Sequence, residues 1–94
     1  MVKHNKYIII GRSTCRFCVM AVDFCSANHA PYVFLDYHER EEILEDYKGF
    51  YKQDTVPIIL QNNLSTGLTI VVGGYTDLLD ALPKEEKCQK NKKR

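Results

Sequence analysis

The sequence predicts a single α/β domain in the order β-α-β-α-β-β-α, a four-stranded mixed sheet flanked by helices on both faces. Three observations predict it. Short β-branched and aromatic runs alternate with helically spaced segments through the first half of the chain. Two strand-like runs then follow each other with only a polar turn between them, which reads as a hairpin. At 94 residues the chain has room for one hydrophobic core and no second one. The domain is expected to span 1–94, with a core over about 6–82 and a polar, basic tail over 84–94.

Lys6 to Ile10 is β-branched and aromatic and ends at Gly11, so it forms the first strand. From Arg16 to about Asn28 there is no Gly or Pro, and Phe17, Ala21 and Phe24 share a helical face before Pro31. Tyr32 to Leu35 is the second buried strand. The charged stretch Asp36 to Lys52 follows, a surface helix with Ile43, Leu44 and Tyr47 turned inward. Thr55 to Leu60 and Leu68 to Val72 form the hairpin across Gln61-Asn62-Asn63 and Ser65-Thr66-Gly67, and Gly73-Gly74 ends it. Asp77 to Leu82 is a short amphipathic helix disturbed by Pro83. A strand–helix–strand crossover is right-handed and makes the first two strands parallel.

Composition narrows the function. A net charge of +1 gives no footprint for nucleic acid or an anionic membrane, and the Lys90 to Arg94 run reads as a solvated end. The apolar run Tyr7 to Ile10 is stopped by Gly11-Arg12, far short of a signal-peptide core or a ~20-residue membrane span, so a cytoplasmic, monomeric protein is expected. Four cysteines without a secretory signal favour redox or metal chemistry over structural disulfides. Cys15 and Cys18 make the one tight pair. Cys25, Cys88, His4, His29 and His38 supply no second pair at zinc-finger spacing, so no metal site is expected. Cys25 reads as a packed core residue, Cys88 as an exposed tail thiol, and the three histidines as surface residues.

The position of the pair, just after a strand and at the start of a helix, activates its first sulfur. A helix N-terminus presents unpaired N–H groups and a positive dipole end, which favour a thiolate at Cys15. Arg12 and Arg16 flank it and are expected to add positive charge. Cys18, one turn on, is less exposed and suits the resolving role in thiol–disulfide exchange.

Three segments together, Gly11-Arg12-Ser13-Thr14-Cys15-Arg16-Phe17-Cys18, Thr55-Val56-Pro57 and Gly73-Gly74-Tyr75-Thr76-Asp77, resemble the signature segments of dithiol glutaredoxins, in the family's order. The resemblance implies a thioredoxin fold and electron transport from glutathione to disulfide-bonded substrates. Those substrates are glutathione mixed disulfides and protein disulfides, ribonucleotide reductase among them. It implies that Pro57 is cis, leaving the Val56 backbone to pair with glutathione as an added strand. It further implies that Thr76 and Asp77 hold the γ-glutamyl end, that Phe17, Thr55, Gly74 and Tyr75 line the groove, and that a residue near Lys52-Gln53 meets the glycine carboxylate.

The chain departs from the family at two places. Arg16-Phe17 stands where Pro-Tyr is usual, which adds a helical N–H and a guanidinium beside Cys15 and predicts a more stabilised thiolate. Relatives without that proline can share a [2Fe-2S] cluster between protomers through the first cysteine and glutathione, the alternative the resemblance leaves open. A redox-inactive thioredoxin-fold binding module is the other. The connection from Pro57 to Gly73 is longer than usual, its excess lying in Gln61 to Thr69, and reads as an exposed loop.

Overall fold

The computed structural model describes residues 5–81. Seven elements follow one another: β1 (Asn5–Gly11), α1 (Arg16–Ala27), β2 (Tyr32–Asp36), α2 (Glu41–Tyr51), β3 (Ile58–Asn63), β4 (Thr69–Gly73) and α3 (Tyr75–Ala81). The sheet runs β2-β1-β3-β4. β1 and β2 are parallel, with Ile8 beside Val33 and Ile10 beside Leu35. β3 lies antiparallel to both β1 and β4. No described helix is long and apolar enough to cross a membrane.

Strand alternation divides the interior into two cores, because successive side chains leave opposite faces of a sheet. Tyr7, Ile9 and Ile59 pack with Ala21 and Cys25 of α1 and Leu78 of α3. Ile10, Ile58 and Leu60 pack on the other face against Leu44 of α2, with Tyr37, Tyr47, Tyr51 and Val56 around them. The start of β3, following Val56-Pro57, lies at the same end of the sheet as the end of β1, where Ile58 pairs with Ile10 and α1 begins.

Four boundaries differ from the sequence reading by two residues or more, and three of them have a local reason. α2 begins at Glu41 rather than Asp36, because the Asp36 carboxylate accepts the backbone N–H groups of Ser13 (2.9 Å) and His38 (3.1 Å) and holds a turn there. β3 begins at Ile58 rather than Thr55, since the cis Val56–Pro57 bond turns the chain just before it. Gln61, Asn62 and Asn63 are strand, not turn. They pair with Tyr7, Lys6 and Asn5, and the turn shifts to the residues after Asn63, whose side chain accepts the N–H groups of Ser65 and Thr66. α3 starts two residues before Asp77, at Tyr75. His4, Leu82, Pro83, Cys88 and the tail 84–94 lie outside the described residues.

Candidate active site

β1 ends at Gly11, and the next four residues turn back so that Cys15 becomes the N-cap of α1. The loop is fastened at several points. Cys15 N–H donates to the Arg12 carbonyl (3.1 Å), Ser13 N–H to Asp36, and Thr14 Oγ1 lies 3.3 Å from His38 Nδ1. No side-chain oxygen caps α1, and its first turn holds no acid. Its free N–H groups are left to whatever Cys15 presents.

The Cys15 sulfur sits there, half-buried, 3.9 Å from the Val56 carbonyl oxygen. Burial pushes its pKa up. That is outweighed by hydrogen bonds from the Cys18 backbone N–H, the Cys18 thiol and the Phe17 N–H, and by the Arg12 guanidinium, so the net shift is downward. Arg12 is thus the cation that acts on this sulfur. Arg16, the other arginine expected to activate Cys15, is exposed at the first helical position and is not among these causes.

Cys18 faces inward. Its sulfur accepts the Arg12 backbone N–H (3.4 Å) and lies directly over Gly11, where any Cβ would overlap it. Burial drives its pKa up to about 12, with the neighbouring Cys15 adding to the rise. Gly11 is the residue that sequence reasoning undervalued: it ends a strand, and it also clears the seat for the second sulfur. Cys25 is fully buried in the α1/α3 core and is pushed up to about 11 by burial alone.

A groove of about 370 Å³ opens beside Cys15. Phe17, Gln53, Thr55, Val56, Pro57, Gly74, Tyr75, Thr76 and Asp77 line it. Phe17 and Tyr75 meet across it with ring centroids 6.0 Å apart. Its far wall is the start of α3, where Asp77 Oδ2 accepts the Gly74 N–H at 2.9 Å, the reciprocal half of a capping box. Gly73 takes φ 121° and lies against that carboxylate, a place only glycine fills without strain. Gln53 works differently from its expected contact with a carboxylate. Its amide donates to the carbonyls of Thr55 (2.9 Å) and Pro57 (2.8 Å), so both hydrogens clamp the cis-proline loop.

Arg12 also reaches out of the site. Its Nη1 donates to Glu41 Oε2 at 2.7 Å, tying the loop to the first turn of α2, while its Nε is buried without a hydrogen-bond partner. His29 and His38 are exposed. Among the described residues no three His, Cys, Asp or Glu side chains gather as a metal site. With Cys18 and Cys25 buried, Cys15 is the one accessible thiol among the described residues.

Comparison with known proteins gives concordant results. The glutaredoxin family model matches residues 7–64. Among solved structures, a dithiolic glutaredoxin from Trypanosoma brucei brucei superposes with a TM-score of 0.62 at 28% identity, covering 90% of this chain and 84% of its own. Reduced Escherichia coli glutaredoxin does so with a TM-score of 0.57 at 29% identity, covering 85% and 94%. A wheat glutaredoxin shares the fold, with a TM-score of 0.67 at 24% identity over 86% of this chain and 71% of that one. Among curated protein sequences none matches.

Proposed function

The chain belongs to the glutaredoxin family of thiol–disulfide oxidoreductases, built on the thioredoxin fold, and we propose that it uses glutathione to reduce glutathione mixed disulfides and protein disulfides through Cys15. The observation that carries this reading is the Cys15 sulfur. It stands at the open N-terminus of α1, with its pKa lowered, at the rim of a groove walled by Val56, Pro57 and the start of α3.

The chemistry runs as two exchanges. The Cys15 thiolate attacks the glutathione sulfur of a mixed disulfide; the S–S bond breaks, and the protein thiolate leaves and takes a proton from water. A new bond joins Cys15 to glutathione. A second glutathione thiolate then attacks the glutathione sulfur of that adduct, which releases oxidised glutathione and restores Cys15. The contact between the Cys15 thiol and the Val56 carbonyl is available only to the protonated sulfur, so it is lost on ionisation and the Val56 backbone is freed for an incoming peptide. Thr76 and Asp77 would hold the γ-glutamyl end, the Asp77 carboxylate having one oxygen beyond that used by Gly74. With the Gln53 hydrogens engaged, exposed Lys52 is the better counter-ion for the glycine carboxylate.

Cys18 offers a second route, attack on the Cys15 adduct to form an intramolecular disulfide and expel glutathione. Forming the adduct removes the Cys15 charge that helps to raise Cys18, but burial, the largest cause, persists. The burial that raises the Cys18 thiol to about 12 keeps it protonated at neutral pH, which favours turnover of small mixed disulfides through a second glutathione. Cys18 is then needed for protein disulfides, ribonucleotide reductase being one substrate of that kind. A reducing cytoplasm would keep glutathione available.

The test is glutathione-dependent reduction of a small mixed disulfide by the wild type, Cys15→Ser and Cys18→Ser. Cys15→Ser loses at least about 100-fold in rate, while Cys18→Ser keeps most of it. An inactive wild type, or an active Cys15→Ser, would overturn the assignment.

A further inference from the structure

Arg12 stands in the loop that carries Cys15, its carbonyl accepting the Cys15 N–H, and its guanidinium is paired with a carboxylate. Arg12 acts on the Cys15 sulfur from the loop before α1, yet its Nη1 is committed at 2.7 Å to Glu41, the first residue of α2, on the opposite face of the sheet. The stem of Arg12 is fixed from within, because its main-chain N–H donates to Cys18 and its carbonyl accepts the Cys15 N–H. Its Nε is buried as well, so only the outer end of the guanidinium is free to choose a partner. That end is held by an exposed carboxylate on the first residue of α2.

We propose that Glu41 is a positioning residue for Cys15: it draws the Arg12 guanidinium toward α2 and thereby limits the positive charge delivered to the nucleophilic sulfur. The inference rests on Cys15 being the reacting thiol and extends that reading to a residue 26 positions along the chain, outside every signature segment. The competition is direct. When Cys15 loses its proton to water, its sulfur and the Glu41 carboxylate are anions facing one cation. Whatever fraction of the guanidinium's charge Glu41 retains is lost to the thiolate.

The other charged or titratable groups around Cys15 are few. Cys18 comes from α1, Arg16 from the exposed start of the same helix, Asp36 from the end of β2, His38 from the turn before α2, and Tyr75 and Asp77 from α3. Asp36 is occupied by the backbone N–H groups of Ser13 and His38, and Asp77 by that of Gly74. Glu41 is the carboxylate ion-paired to the cation that acts on Cys15. An exposed pair of this kind adds little to stability. Its effect is local, on the acidity of one sulfur.

The experiment follows alkylation of Cys15 by iodoacetamide as a function of pH in the reduced protein, the modified residue assigned by mass spectrometry, for the wild type, Glu41→Gln, Glu41→Asp, Arg12→Gln and the Arg12→Gln/Glu41→Gln double variant. Circular dichroism confirms folding. In Glu41→Gln the midpoint falls by about 0.3 to 0.5 on the pH scale, roughly two- to threefold more thiolate at neutral pH. Glu41→Asp stays near the wild type, and high salt narrows the gap. Arg12→Gln raises the midpoint, and on that background the Glu41→Gln effect shrinks by half or more. An unchanged or raised midpoint in Glu41→Gln would overturn the proposal. So would an effect of equal size without Arg12, which would mean that Glu41 acts on the sulfur directly. Because alkylation needs no glutathione, this result is independent of whether the protein reduces glutathione mixed disulfides.

Discussion

Helices α1 and α2 begin in opposite ways. α2 opens on Glu41 and Glu42, two carboxylates set against its positive end. α1 opens on Cys15 and Arg16, with no acid in its first turn and no side-chain cap on its free N–H groups. Even the short α3 covers its start with the Asp77 carboxylate. Among the described helices, α1 alone keeps its positive end uncancelled, and the atom placed on it is the Cys15 sulfur. An uncapped helix start costs stability, typically about 1 kcal/mol. α2 also lacks a side-chain cap but sets two acids against its positive end; among the described helices only α1 has neither, at the place where an anion has to be made.

The difference can be broken most severely from beneath. Gly11→Ala would drive a methyl group into the Cys18 sulfur, displacing the first turn of α1 from its seat on β1. Overpacking of this kind costs about 1 to 3 kcal/mol, read as a lower urea midpoint. A midpoint equal to that of the wild type would mean that Cys18 has room to move.

Alkali should separate the outward sulfur from the inward ones. Cys18 and Cys25 have folded pKa values of about 12 and about 11, above the free value of about 8.5. Their stabilising contribution is therefore complete below about 8.5 and is lost as pH rises toward those values. Cys15 has the opposite sign: lowered on folding, it adds stability above the unfolded value that disappears as pH falls through the lowered one. Urea midpoints should decline between pH 8.5 and pH 11, and less steeply in Cys25→Ala. A flat profile would contradict the burial argument.

The smallest effect distinguishes dipole and loop from flanking charge. Arg16→Glu places an acid in the first turn of α1, as α2 has, and should raise the Cys15 pKa by about half a pH unit. Arg16→Gln and Arg16→Pro should change it by less. A large rise with Arg16→Gln would restore the flanking-charge reading and demote Arg12.

Most of the fold was legible because it depends on local pattern. Seven elements can be placed from periodicity and punctuation, and Ile8, Ile9 and Ile10 reveal a strand buried on both faces. Boundaries moved where a tertiary contact outranked propensity. Asp36 stops a charged stretch that would otherwise read as helix by taking two N–H groups, and Gln61 to Asn63 become strand because β1 offers them partners. The groove residues were readable as three short segments. Their separate roles were not, since the engagement of Gln53 with Thr55 and Pro57 and the ion pair between Arg12 and Glu41 depend on how distant or folded-back pieces meet. Adjacency in sequence made both Arg12 and Arg16 candidates, and the turn of the loop brings the charge of Arg12 to bear on Cys15.

The central claim is that Cys15 is the acidic sulfur among the described cysteines and that Cys18 is a buried thiol that stays protonated near neutral pH. It is tested most directly by titrating thiolate absorbance in the ultraviolet for the reduced wild type and Cys15→Ser. The account predicts that the difference between the two curves is a single ionisation with a midpoint below the free-thiol value of about 8.5. A difference curve with its midpoint at or above that value would contradict it.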